Sequence, residues 1–302
     1  MQTGIPNIGI FSRAIAQKDI VHLKALLEAL AQHHLHVVFY APLLTNLRAY
    51  NLALDYPTFN DHSSLVAQAD ILISLGGDGT FLQTIPLIRD NHIPVVGLNL
   101  GTLGFLASIE PQYVRDAVHH LVSGRYYIEN RNLLSLVQPQ FDLVYPFALN
   151  DVTLFKAPEA TMLHLEVFID DSLLYRYYGD GLILSTATGS TAYNLSCGGP
   201  ILVPNAAAFV LTPIASHALT TRPVVIADTS VIKIVPYAET YHLTVDSNKL
   251  TVKSPNPILL CKAPFTVQTI HFDPTMDNEP QRKSNFFHTL QQKLMWGQHG
   301  RK

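Results

Sequence analysis

The 302-residue chain is long enough for two domains, and its 48% hydrophobic against 14% charged content supplies ample apolar surface for folded cores. A formal net charge of −3 leaves no basic footprint for nucleic acid and no polybasic patch for a membrane surface. Two cysteines, Cys197 and Cys261, are too few for a disulfide framework and lack metal-ligand spacing, which points to free thiols in a reducing compartment.

The opening residues MQTGIPNIGIF have no basic region and no long apolar stretch, so no signal peptide is expected. The most apolar stretches, 93–109 and 201–227, are interrupted by proline, glycine, asparagine or arginine and read as core, not as membrane spans. A soluble cytoplasmic protein is the expectation.

In chain order, Asn7 to Phe11 (NIGIF) is a candidate strand, and residues 20–34 place Leu23, Leu26, Leu27 and Leu30 at helical spacing. Further strands are expected at His36 to Tyr40, Asp70 to Leu75 and Ile93 to Leu98. Runs of Val, Ile and Leu without polar alternation suggest strands covered on both faces. Strand and helix in repeated order predict an α/β N-terminal domain with an open, mostly parallel sheet over 1–130. No motif is apparent in 41–69.

From about residue 131 to 275 the runs become β-rich, with IDDSLL and VDSNKL as hairpin connections. This predicts an all-β C-terminal domain. Residues 276–302 form a helical segment in which Phe286, Phe287, Leu290 and Leu294 share one face, with Ser284 as its N-cap. That stripe needs cover, so the helix is expected to pack back on the body. The histidines have no metal-ligand spacing; His33, His34, His36, His119 and His120 read as solvated, and no transition-metal site is expected.

Three stretches carry chemistry. ISLGGDGTFL ends an apolar strand in a glycine-rich turn, the place where open α/β folds bind ligands. Gly76, Gly77 and Gly79 let backbone N–H groups face an anion, and Gly76, Gly77 and Thr80 are assigned to a phosphate loop. Asp78 can then orient a hydroxyl nucleophile, accept its proton, or hold a metal. The same turn is also compatible with an aspartate that merely caps the next helix. NLGTLGF at 99–105 follows another strand end, and the two turns could form opposite walls of one crevice. The third stretch, 177–202, concentrates Ser185, Thr186, Thr188, Ser190, Thr191, Tyr193 and Ser196 among glycines, offering hydroxyls and backbone to a polar ligand.

Together these segments resemble the NAD kinase family. The resemblance is carried by LGGDGTFL, VVGLNLGTLGFLAS, NDVTLFK, GDGLILSTATGSTAYNLSCGGPIL, LTPIASHALTTRPVVI and VDSNKL, in the family's order over 70–250. It implies ATP-dependent phosphorylation of the adenosine 2′-hydroxyl of NAD to give NADP. An α/β domain, an all-β domain and a homodimer or homotetramer are implied with it. ATP (or polyphosphate) would be the donor, with Mg²⁺ or another divalent cation. Asp78 falls on the catalytic aspartate, while Gly79 and Phe105 match positions of the NAD pocket. Asn150 and Asp151 match the pair that meets the adenosine portion. Asp180, Thr188, Thr191, Ala192, Tyr193 and Ser196 match the stretch around the adenine or nicotinamide ribose, partly donated in the family across a subunit interface. Asp151 stands where glutamate is usual, and Gln83, Ser216 and Ala218 also depart from the pattern, whereas His217 and Arg222 match. GGDGT is shared with lipid and sphingoid-base kinases, so a lipid kinase is one alternative and a non-catalytic NAD(P)-binding sensor another.

Overall fold

The computed structural model describes residues 6–272 and 286–296, apart from 53, 140, 142, 144, 254 and 255. The chain divides into two compact units, one of residues 1–129 with 267–302 and one of residues 130–266.

The first unit is a parallel α/β sheet. Its elements are β1 (Ile8–Phe11), α1 (Ile20–Gln32), β2 (Val37–Tyr40), α2 (Ala41–Arg48), β3 (Thr58–Phe59), α3 (His62–Val66), β4 (Ile71–Leu75), α4 (Asp78–Leu82), α5 (Ile85–Ile88), β5 (Val95–Leu98) and α6 (Val114–Val122). Every residue of β1, β4 and β5 is buried, as the unbroken apolar runs require of strands covered on both faces. The order is β5-β4-β1-β2-β3, with all pairings parallel. The chain runs outward from β1 through β2 to β3, then returns to the other side of β1 to lay down β4 and β5. That reversal puts the carboxyl ends of β1 and β4 at a topological switch point, where open α/β sheets bind their ligands.

Helix α1 turns Leu23, Leu26, Ala29 and Leu30 inward and packs on α6. The segment 41–69 holds structure that its sequence signals only faintly. Helix α2 follows β2 without a linker and carries proline in its first turn, where the missing N–H costs nothing. Helix α3 begins with a capping box in which Asp61 accepts from the Ser64 backbone while the Ser64 hydroxyl reaches back. His120, expected in solvent, is buried in α6 with its ring near Phe272.

The second unit is built from antiparallel strands. They are the later part of β6 (Tyr126–Gln138), β7 (Phe147–Ala148), β8 (Asp151–Lys156), β9 (Leu163–Ile169), β10 (Ser172–Gly179), β11 (Gly181–Ser185), β12 (Ala208–Ile214), β13 (Val224–Ala227), β14 (Ile232–Pro236), β15 (Tyr241–Val245), β16 (Asn248–Val252) and the first part of β17 (Ile258–Phe272). One sheet has the order β13-β12-β11-β8-β15-β16; in the other, β10, β9, β14 and β17 are successive neighbours. Their alternating inward residues, including Val152, Leu154, Leu165, Val167, Leu182, Leu184, Ile232, Ile234 and Leu243, share one core. Both expected hairpins form. Asp170 and Asp171 turn β9 into β10 with φ of 48° and 64°, and Asp246 starts the β15–β16 turn with φ of 50°. A short helix α7 (Tyr193–Ser196) sits inside the hydroxyl-rich stretch.

The end of β17 returns to the first unit, pairing Thr269 with Val95 of β5. Helix α8 (Phe286–Leu294) also belongs to that unit and packs against it through buried Thr289 and Leu290. Phe287 does not share the buried face: it is 59% exposed, because the helical period that brings Phe286 and Leu290 inward carries position 287 outward. Ser284, the expected N-cap, lies outside the described residues, as do most of 276–302.

Candidate functional site

In the first unit the turn after β4 places its carboxylate at the start of α4, with Gly77 at the cap position. Asp78 does not reach outward as a free group. Its Oδ2 accepts from the Phe105 N–H, and its Oδ1 accepts from Leu106 and Ala107, each at 2.9 Å. A carboxylate taking three backbone donors is held by charge-assisted bonds, stronger than neutral ones. The loops after β4 and β5, which carry separate glycine signals, are therefore tied together. They are one structure, closed by Asp78.

Glycine explains how the closure is possible. A Cβ at Gly104 would lie 1.9 Å from Asp78 Oδ1, and one at Gly97 would lie 2.6 Å from the Leu106 carbonyl oxygen. Both positions let the second loop lie flat against β5 and the aspartate. Gly77 and Gly79 are different, since a Cβ at either would meet nothing within 4 Å. Internal packing does not require glycine there, which fits a backbone left open to a ligand. Gly76 has φ of 154° and lies against Thr80, whose Oγ1 would stand 2.3 Å from a Cβ at Gly76. Thr80 thus packs on the turn. Phe105 is half-buried, and its ring lies beside the ring of Phe286 at 6.1 Å between centroids.

In the second unit the residues around Asn150 and Asp151 form a second carboxylate-held turn. Asp246 accepts from the N–H groups of Leu149 and Asn150 at 2.8 Å and of Asp151 at 3.2 Å, and its own N–H donates to the Asp151 carbonyl. Thr186 ties the same turn to the next stretch, with its hydroxyl on the Leu149 carbonyl and its N–H on that of Asn150. Gly189 lies so close to Asn150 that a Cβ would approach its carbonyl oxygen to 2.1 Å.

The hydroxyls of 185–196 divide into two groups. Ser185, Thr186 and Ser190 are buried and bound to backbone carbonyls, so they build the scaffold. Asn194, also buried, joins them through Ser190, Pro200 and Thr212. Thr191, Ala192, Tyr193 and Ser196 lie toward the surface, while Thr188 is buried beside the Arg131 guanidinium. Tyr193 lies by Phe155, and burial first, with Cys197 and Asp151 nearby, holds its hydroxyl above the ordinary tyrosine value. Asp180 is engaged by Lys156 at 2.8 Å.

Burial sets the electrostatics here. Asp151 is 8% exposed, and burial pushes its carboxyl up to about 6 against the pull of the Thr153 hydroxyl. The enclosed Asp246 carboxyl is pushed up by burial to about 7, with its backbone donors opposing and the neighbouring Asp151 charge adding to the rise. Among the described residues no three or more His, Cys, Asp or Glu side chains gather into a metal cage.

Asp246 and Gly104 are the residues that motif reading missed. VDSNKL shows Asp246 as a turn residue, and nothing local reveals that its carboxylate binds a segment 95 to 97 positions away.

An α/β unit with this strand order and a carboxylate-bearing glycine turn at its switch point has the plan of a nucleotide-binding protein. Residues 55–126 match the family model described as the ATP-NAD kinase N-terminal domain, and residues 149–272 match that of the ATP-NAD kinase C-terminal domain. The NAD kinase of Flavobacterium psychrophilum is 35% identical over 303 residues, covering 97% of this chain and 98% of that protein. That of Christiangramia forsetii is 34% identical over 298 residues, with the same coverage. The crystal structure of yeast NADH kinase complexed with NADH superposes with a TM-score of 0.85 at 22% identity, covering 99% of this chain and 90% of that one. An Archaeoglobus fulgidus NAD kinase in complex with ATP gives 0.69 at 22% identity, with 88% and 94% covered. The chain belongs to the NAD kinase family.

Two outcomes follow from the geometry. Gly104→Ala displaces Asp78 from its donors and lowers stability by about 1–3 kcal/mol, whereas Gly79→Ala, inside a short helix with free space, is neutral or stabilising by up to ~1 kcal/mol; urea midpoints of the two variants check this. The raised Asp151 carboxyl makes the folded state hold a proton that the unfolded chain releases, so its stabilising contribution is full below about pH 4 and is lost as pH rises through about 6. Asp151→Asn should remove up to about 3 kcal/mol of that loss, seen as a flatter dependence of unfolding free energy on pH.

Proposed function

We propose that this protein transfers the γ-phosphoryl group of ATP to the 2′-hydroxyl of the adenosine ribose of NAD, giving NADP and ADP. The observation that carries the reading is the Asp78 carboxylate, fixed by three backbone donors at the carboxyl ends of the central strands of a nucleotide-binding fold. Relatives named NAD kinase along nearly the whole chain support it.

A carboxylate offers about four acceptor positions, and the loop occupies two on Oδ1 and one on Oδ2. The remaining position on Oδ2 receives the incoming 2′-hydroxyl. A carboxylate is a weak base for an alcohol, but phosphoryl transfer through a loose transition state asks for little early deprotonation. Asp78 therefore aligns the hydroxyl and takes its proton late, as the bond from Pγ to the bridging oxygen breaks and the new P–O bond forms. The turn at Gly76, Gly77, Gly79 and Thr80 supplies backbone donors to the phosphates. A divalent cation such as Mg²⁺, carried by the ATP phosphates rather than by an acidic cage of the described residues, would neutralise charge on the transferring oxygens. Phe105 contributes an apolar wall for NAD. Asn150 and Asp151 hold the adenosine portion, and Thr188, Thr191, Ala192, Tyr193, Ser196 and Asp180 serve the ribose and base contacts. The reading includes a cytoplasmic homodimer or homotetramer on the strength of the family resemblance; among the described residues no helix is long and apolar enough to cross a membrane.

Asp78→Asn keeps the size of the side chain, but its amide nitrogen accepts neither the substrate proton nor the backbone N–H held by the oxygen it replaces. Its kcat in an NADP-forming assay should fall by roughly 10²–10⁴-fold, with NAD binding by calorimetry within a few-fold of wild type. Turnover near that of wild type would remove Asp78 from the chemistry.

A further inference from the structure

The C-terminal helix touches the aspartate's loop from outside. Phe286 and Lys293 stand seven residues apart on α8, two turns along one face. Both meet the same ring: the Phe286 centroid is 6.1 Å from that of Phe105 with the planes tilted at 43°, and Lys293 Nζ stands 5.1 Å from the Phe105 centroid. These are the geometries of an aromatic pair and of a cation over a π face. Phe105 is also the residue whose N–H donates to Asp78 Oδ2. One residue is therefore gripped by α8 at its side chain and by the aspartate at its backbone. Buried Thr289 and Leu290, between the two contacts in sequence, seat the helix so that both can be made.

We infer that Phe286 and Lys293 are positioning residues for phosphoryl transfer, acting through Phe105 to hold the 105–107 amides, and with them the Asp78 carboxylate, in place. The inference rests on the kinase reading above for its effect on rate, but its effect on the loop is independent of any substrate. Misplacement of a reacting group by a fraction of an ångström costs rate more than binding. The signature is therefore a loss in kcat with KM for ATP little changed.

The experiment uses the full chain with Lys293→Met, which keeps the stem and removes the charge at an exposed position, Lys293→Arg, Phe286→Ala, and each combined with Phe105→Ala. Hydrogen exchange of the Phe105, Leu106 and Ala107 amides should quicken about tenfold in Lys293→Met and in Phe286→Ala. Lys293→Arg should retain slow exchange, since a guanidinium also sits over an aromatic face. In the NADP assay kcat should fall about three- to tenfold for each single variant. With Phe105→Ala already present, neither substitution should cost anything more, the non-additivity expected of groups acting through one contact. Unchanged exchange at 105–107 overturns the inference, as does a loss in kcat that multiplies with that of Phe105→Ala. A wild-type chain that forms no NADP overturns the kinase reading alone, because the exchange measurement still decides whether α8 anchors the loop.

Discussion

The first unit depends on one carboxylate bound to three consecutive backbone amides. Asp78 starts a five-residue helix, too short to be stable by itself, and the bonds to Phe105, Leu106 and Ala107 fasten that helix to the loop beyond β5. Strand burial brings β4 and β5 side by side, and the missing side chains at Gly97 and Gly104 let the loop descend far enough for the bonds to form. A side chain at either glycine would meet an obstacle closer than ordinary contact. The site is thus a consequence of packing as much as of motif.

The second unit repeats the device with different parts. Asp246, in a hairpin turn, binds the amides of Leu149, Asn150 and Asp151. The surroundings differ in a way that matters chemically. Asp78 stands in a half-open turn, whereas Asp151 is buried beside Asp246, and burial favours the neutral forms of both of these carboxyls. An aspartate at 151 can be tolerated in that space with its hydroxyl partner Thr153 beside it. Thr186, Ser190 and Asn194 spend their polar atoms on the scaffold, whereas Thr191, Tyr193 and Ser196 lie toward the surface.

Much of this was legible in the chain. Unbroken apolar runs announced β1, β4 and β5 within two residues of their observed ends, and leucine spacing announced α1. Both Asp-containing hairpins formed where turn chemistry placed them. The segment 41–69 was opaque because α2 begins directly at a strand end and α3 is only five residues long. Phe287 and His120 went to the unexpected side of their helices, because a composition of apolar or polar types does not say which neighbour occupies each face.

The amino-acid sequence by itself determined the periodicities, the turns and the order of the motif blocks, because these depend on each residue's own backbone preference and polarity. The family resemblance was readable for the same reason, since it lies in short contiguous blocks. Only the tertiary structure decided that the glycine turn at 76–79 and the loop at 104–107 are one object, and that Asp246 belongs to the Asn150 turn. Those decisions are hydrogen bonds across 27 to 29 and 95 to 97 residues. Such bonds form only after buried strands have brought distant amides to within 3.2 Å of a carboxylate, a proximity that no local pattern encodes.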